Sequence, residues 1–252
     1  MTFSLKATGF SAVMCLALPC HANVPAPAGM TLNQFRIVYP STEAKGITWS
    51  LINNTDRAYL MQSWIRPVDF TTGLPELESH GGGRTSAIPL LVTPPLKRVE
   101  ARESLTLRIR LTERSLPPDR ESVFYLSVKG IPSVSEKSST HSGGQMVVAV
   151  VNNVKLFYRP EGLPEGGVAT ASSQLRFSQR GDQLWVDNPT PFYINFSQVV
   201  VGGKSLPADV LRKLIPPKGH QSYPLPQGAR GMVEWQLLDE NSLATALQQQ
   251  AL

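Results

Sequence analysis

The stretch QMVVAVVNNVKLFYRP, Gln145 to Pro160, constrains the fold more than any other part of the chain, because its apolar residues occupy both sides of an extended strand. With side chains alternating, Met146, Val148 and Val150 point one way and Val147, Ala149 and Val151 the other. One such face can cover the core of its own domain, while the other must meet a second sheet, a lipid or another protein. Burial of both faces inside a two-sheet sandwich is the simpler reading of the periodicity. The strand then runs into Lys155, followed directly by Leu156, Phe157, Tyr158 and Arg159. An apolar strand that ends on a fixed cation suggests a peptide-binding edge.

Elsewhere, short runs rich in Val, Ile, Leu, Phe and Tyr recur between clusters of Pro, Gly, Asn and Ser, which is the pattern of an all-β sandwich. Candidate strands are Gln34 to Val38, Gly46 to Asn53, Leu60 to Arg66, Leu90 to Thr93, Leu105 to Leu111, Val123 to Ile131 and Met146 to Tyr158. Their number is close to that of an immunoglobulin-like domain. Pro and Gly concentrate at RPEGLPEGGVA, Arg159 to Ala169, and strand signals resume at Leu175 to Gln179, Gln183 to Asp187, Tyr193 to Val201 and Gly231 to Leu238. Two domains with a hinge near Glu161 to Leu163 are therefore expected. The one helical periodicity is short and terminal, over Ser242 to Gln250.

Residues 1–22 read as a secretory signal, with Lys6 in the n-region, an apolar core from Phe10 to Leu18, and Cys20 and Ala22 before a cleavage point near Ala22. The apolar run is about half of the ~20 residues needed to span a bilayer, and no later segment is long enough. A lipoprotein signal at Cys20 is poorly matched by Pro19. Both cysteines, Cys15 and Cys20, fall within this signal, so the exported chain has to be held by its core alone. Loss of Lys6 lowers the formal charge from +5 to +4, and the basic residues are scattered among acids rather than clustered with aromatics, which argues against nucleic acid. The densest basic run, LRIRLTER from Leu107 to Arg114, places Arg108 and Arg110 on one strand face and reads as solvated surface.

Six segments, in order, carry a resemblance: FRIVYP (Phe35 to Pro40), NNTDRAYLMQSWI (Asn53 to Ile65), TPPLKRVEA (Thr93 to Ala101), LPPDRESVFYLSVKGIP (Leu116 to Pro132), KLFYRP (Lys155 to Pro160) and NPTPFY (Asn188 to Tyr193). Together they make the chain similar to the periplasmic chaperones that assemble pili by the chaperone-usher route. The resemblance implies two immunoglobulin-like β-sandwich domains in a boomerang-like arrangement with a cleft between them. The expected organisation is a signal at 1–22, a first domain with the binding strand at 23–160 and a second sandwich at 161–252. The chaperone subclass with a long loop before the binding strand usually carries a disulfide, so the missing cysteines point to the short-loop subclass, which serves rod-like pili.

By the same resemblance, Arg36 and Lys155 hold the terminal carboxylate of a pilus subunit. Met146, Val148, Val150 and Val154 enter the subunit's groove as a donor strand, while Val147, Ala149 and Val151 face the chaperone core. Guanidinium and ammonium suit that task, the first through two parallel hydrogen bonds and the second as a compact charge. Strict alternation puts Lys155 opposite Met146, Val148 and Val150, so a twist or bulge near Asn152 and Asn153 is expected to aim it at the cleft. Glu121, Arg159 and Asp239 resemble an interdomain charge network, Asp239 being matched through LLDEN. Ser127 stands where the family usually has Asn, and the connections 75–87 and 133–145 are longer or richer in Gly and Ser than usual.

The implied partners are pilus subunits, an outer-membrane usher and, through the exposed strand, a second copy of the chain; the implied compartment is the periplasm. No enzyme, cofactor or metal is expected. His21, His80, His141 and His220 lack ligand spacing with Cys, Asp or Glu, there is no GxSxG turn, and no helix start follows Gly81 to Gly83 that would make a phosphate cradle. A secreted immunoglobulin-like adhesive or structural module is the rival reading.

Overall fold

The computed structural model describes residues 29–77, 88–133 and 148–252. The expected signal, Met146 and Val147, and most of both long connections lie outside them.

Alternation builds the first sandwich. Its strands are β1 (Met30–Leu32), β2 (Arg36–Pro40), β3 (Ile47–Asn53), β4 (Tyr59–Arg66), the short hairpin β5 (Val68–Asp69) and β6 (Leu74–Pro75), β7 (Leu90–Thr93), β8 (Leu96–Val99), β9 (Ser104–Leu111), β10 (Ser122–Pro132) and β11 (Val150–Arg159). In β9, Leu105, Leu107 and Ile109 are buried while Thr106, Arg108 and Arg110 are exposed, so the basic run is a solvated face. One sheet has the order β1-β3-β9-β7 and the other β2-β11-β10-β4-β8. Trp49, Leu51, Met61, Leu107, Leu126 and Leu156 fill the space between them.

The chain changes sheets between β1, which pairs with β3, and β2, which pairs with β11 in parallel. Residues at this crossing are pinned locally. Trp49 donates its indole N–H to the Gln34 carbonyl at 3.0 Å, and the Asn33 side chain accepts from Ser50 N at 3.0 Å.

The second sandwich packs β12 (Arg176–Arg180), β13 (Gln183–Asn188) and β16 (Gly219–Pro224) against a sheet of β14 (Phe196–Val201), β15 (Lys204–Ser205), β17 (Met232–Leu237) and β18 (Gln248–Ala251). Phe177, Val186, Phe196, Tyr223 and Trp235 form its separate core. A short helix, α1 (Gly167–Ala171), follows the Pro/Gly stretch. The helix expected over Ser242 to Gln250 is absent. Instead Gln248–Ala251 pairs with β17, where Gln250 exchanges hydrogen bonds with the Phe177 backbone. A terminal segment adds more bonds by completing a sheet than by forming an isolated short helix.

Each sandwich contains the same device at a turn. Asn53 donates to the carbonyls of Arg57 and Glu100 (2.7 and 2.9 Å) and accepts from Thr55. Asn188 likewise donates to Phe192 and Pro216 (2.8 and 2.9 Å) and accepts from Thr190. Both side chains are buried, and these bonds are what makes their burial tolerable. The NNT and NPT motifs thus fix turns.

The domains meet through a small apolar cluster of Val68, Val123, Tyr125, Phe157 and Leu214 with Tyr193 beside it. The β5–β6 hairpin reaches across it: Phe70 stacks on Tyr193, and Tyr125 donates its hydroxyl to the Gly73 carbonyl at 2.6 Å. Gly73 has φ +72°, and a Cβ there would lie 2.4 Å from the Arg212 carbonyl oxygen. Gly73→Ala is therefore expected to lower stability by about 1–3 kcal/mol in urea unfolding, the cost of a left-handed residue forced against backbone. An unchanged midpoint would show that the hairpin does not bear on the junction.

Candidate functional site: a strand edge and a pair of cations

The parallel pairing of β2 with β11 sets the site. Its register matches Lys155 with Arg36, Leu156 with Ile37, Phe157 with Val38 and onward to Arg159 with Pro40. Paired residues share a face, so Arg36 and Lys155 emerge side by side. Leu156 and Ile37 point into the first core, whereas Phe157 joins the cluster at the domain junction. Beyond Lys155, toward Val150, no strand among the described residues pairs with β11 on the side that β2 occupies. The edge is open there and ends at two cations.

Arg36 is only 6% exposed. Its guanidinium lies 3.7 Å above the Phe157 ring, which accounts for the position of the plane but supplies no hydrogen-bond acceptor. Nε and Nη2 are buried without any partner. Burial pulls its pKa below the ordinary value, with the charges of Glu121 and Glu240 opposing. Lys155 is also largely withdrawn from solvent, and burial together with the neighbouring Arg36 lowers it to about 8. Its ammonium donates to the Asn195 side chain of the second domain. Orphaned donors on a buried cation are costly unless an anion fills the gap, and a carboxylate matches this donor set.

The strand faces differ from expectation. β10 and β11 pair without interruption from Ser122 and Tyr158 to Gly130 and Val150, so there is no bulge at Asn152 or Asn153. Lys155 reaches the cleft by plain alternation. Val154, expected in a subunit's groove, is 2% exposed and sealed in the domain's own core. Val150 and Asn152 share that inward face and line an apolar gap between the sheets with Met30, Leu51, Tyr59 and Met61. Val151, expected to face the core, lies on the opposite face with Lys155 and is 40% exposed. The reason is geometric: from Lys155 back toward Val150, β11 has no β2 beside it, so one continuous inner face is core at Val154 and opens to solvent at Val150, which is 59% exposed. Val148, just before the strand, is similarly open, and Met146 lies outside the described residues.

The charge network also departs by one residue. Arg159 donates to Glu121 Oε1 through Nε and Nη2 (3.0 and 2.8 Å), to Glu240 Oε1 through Nη2 (2.9 Å) and to the Pro164 carbonyl through Nη1 (3.1 Å). Glu121 accepts in addition from Tyr193 N at 2.9 Å, and burial pushes its carboxyl upward against the pull of Arg159. Asp239, expected in this network, instead accepts from the amides of Asn241 and Leu243 in its own turn. Glu240 takes its place because the shorter side chain is consumed by the turn. Asn195 was missed by sequence reasoning. It sits two residues past NPTPFY, but a neutral amide carries no sequence signal for a cation site.

Fold and site define a class: a two-domain immunoglobulin-like protein with an open strand edge that ends at two cations, one of them a buried arginine short of acceptors. The family described as the pili and flagellar-assembly chaperone PapD, N-terminal domain, matches residues 29–164, and the pili assembly chaperone PapD, C-terminal domain, matches residues 170–241. The chain belongs to this family of pilus-assembly chaperones. Among curated relatives it is similar to the chaperone protein FimC of Escherichia coli strain K12, with 31% identity over 223 residues covering 87% of this chain and 83% of FimC. Similarity to the chaperone protein caf1M of Yersinia pestis is 32% over 227 residues, covering 84% and 81%. Among solved structures, the Salmonella enterica SafA pilin in complex with the SafB chaperone matches with TM-score 0.74 and 27% identity over 90% of this chain and 98% of that one. The E. coli chaperone DraB matches with TM-score 0.71 and 31% identity over 89% and 98%.

Proposed function

We propose that this protein is a periplasmic chaperone that captures pilus subunits by lending them β11, holds them out of premature polymerisation and hands them to an outer-membrane usher. The proposed organisation is a cleaved signal at 1–22, a capturing domain at 23–160 and a second sandwich at 161–252. The single observation that carries the reading is Arg36, a buried guanidinium with two unpartnered nitrogens beside Lys155 at the end of an open strand edge. It acts by binding alone, without a catalytic group or cofactor.

Geometry supplies a direction. A guest strand on the open edge that places its terminal carboxylate at Arg36 and Lys155 runs along β11 from Val150 toward Lys155, and so parallel to it, in line with β2. Backbone hydrogen bonds along the edge would give affinity, and the exposed side chains Val148 and Val150, with Met146 before them, would enter the guest's apolar groove. Because this face is continuous with Val154 and Leu156, the guest's core would extend that of the chaperone. The fixed carboxylate sets the register, since a one-residue slip would exchange the two faces. In the free protein, pairing of the open edge with a second copy would shield it.

Coexpression with a pilin subunit, followed by copurification, tests the reading. Wild-type protein is expected to yield a one-to-one complex. Arg36→Ala and Lys155→Ala each remove a charge-assisted contact and should weaken capture by roughly 10- to 100-fold, about 1.5–3 kcal/mol. Val150→Asp should prevent it while leaving the cations in place. Capture at wild-type level by both cation variants would overturn the carboxylate anchor, and capture by Val150→Asp would overturn strand insertion.

A further inference from the structure

A buried guanidinium and a half-buried ammonium side by side present an electrostatic problem that the capture mechanism alone does not solve. The titratable and charged groups around the Arg36–Lys155 pair are Tyr125 directly across from Lys155 on β10, Glu121 just before β10, Arg159 further along β11, and Tyr193, Asp239 and Glu240 from the second domain. Glu121 and Glu240 are bonded to Arg159, and Asp239 is held by its own turn. Among the described residues no carboxylate lies within ion-pair distance of Lys155. Its bonded side-chain partner is Asn195, 8% exposed, whose own amide nitrogen is directed to the Phe196 carbonyl.

That last bond settles which end of the amide meets Lys155. With Nδ2 engaged by a backbone acceptor at 3.3 Å, Oδ1 is the atom turned toward the ammonium. We infer that Asn195 is a positioning residue for the carboxylate site: its neutral oxygen keeps the Lys155 ammonium protonated and aimed along the cleft beside Arg36 without neutralising it. An acid here would form an internal ion pair and compete with the incoming carboxylate. An apolar residue would leave a half-buried ammonium with no protein acceptor and favour its neutral form. Because Asn195 belongs to the second domain and Lys155 to the first, the aim of the clamp depends on both domains being in place.

The inference rests on the carboxylate-binding reading, and two measurements separate them. The first is the titration of Lys155 in the intact, ligand-free chain, followed by NMR of labelled lysine side chains in wild type, Asn195→Ala and Asn195→Asp. Relative to a wild-type midpoint of about 8, Asn195→Ala is expected to titrate about one pH unit lower and Asn195→Asp at least about one unit higher. The second is binding of a synthetic peptide of alternating apolar residues, with a free terminal carboxylate or as its amide.

Wild-type affinity for the free acid should fall about tenfold per pH unit above the Lys155 midpoint, as one bound proton is lost. The fall should begin at lower pH in Asn195→Ala. In Asn195→Asp the fall should begin at higher pH, with affinity near neutrality reduced about tenfold or more by the internal ion pair. A purely structural role for Asn195 would not move the two midpoints in opposite directions. Unchanged Lys155 titration in both variants overturns the inference, even if one of them is destabilised. If the midpoints move as expected but wild type binds acid and amide alike, the carboxylate reading fails and Asn195 remains only the holder of Lys155.

Discussion

Lys155→Met is expected to make this protein more stable while removing one of the two cations proposed to hold a carboxylate. Burial and Arg36 lower the Lys155 pKa from 10.5 to about 8. Between those values the unfolded chain binds more protons than the native one, so native stability rises with pH across that window and the penalty is fully present below it. The shift corresponds to about 3 kcal/mol, part of which is offset in the variant by the Asn195 oxygen left without its donor. Urea unfolding near neutral pH should therefore show a gain of about 1–3 kcal/mol that shrinks as both proteins are taken through the window from about 8 to 10.5. A variant less stable than wild type at neutral pH would refute this account of the site. Such a trade is typical of a site kept unsatisfied for a ligand.

Glu121→Ala carries the largest expected loss. The carboxylate is 2% exposed and Arg159 4%, and its removal leaves the guanidinium with Glu240 and a carbonyl as partners and Tyr193 N with none. Breaking a buried pair from one side costs about 3–5 kcal/mol where the remaining charge is stranded, and because Glu240 still partners Arg159 the loss is expected at the lower end, about 3 kcal/mol. Glu121→Gln should fall between, since an amide oxygen still accepts but the charge is gone. By contrast, Arg102→Ala, which breaks the exposed pair with Asp56, is expected to change stability by less than about 1 kcal/mol. Thermal unfolding of the three variants measures the difference, and equal losses for Glu121 and Arg102 would place the buried network among ordinary surface pairs. Loss of Glu121 also releases the Tyr193 segment that supports Phe70 and Phe157, so the junction should loosen with it.

Much of the sandwich was legible because the strand period is local. The alternation in β9 was visible as LTLRIRL, and the solvent face of Arg108 and Arg110 followed from it. Arg36 and Lys155 were legible because FRIVYP and KLFYRP carry them in recognisable surroundings. The faces of β11 were not, because both are apolar in sequence; only the position of the neighbouring sheet decides that Val154 is core and Val151 is not. Over Ser242 to Gln250 a helical pattern lost to sheet pairing, since the partner strand β17 lies in a register that the sequence alone does not reveal. In LLDEN two acids stand side by side, and the choice of Glu240 over Asp239 depends on where a turn spends its carboxylate.

The sequence by itself determined most of the strands and the division into two sandwiches, which follow from local alternation and turn residues, and motif resemblance singled out Arg36 and Lys155, which the structure brings side by side. The tertiary structure decided which face of β11 is buried, which acid meets Arg159 and that Asn195 holds Lys155. Those outcomes join residues from different sheets and domains, and the burial that sets their energies exists only once the domains have packed.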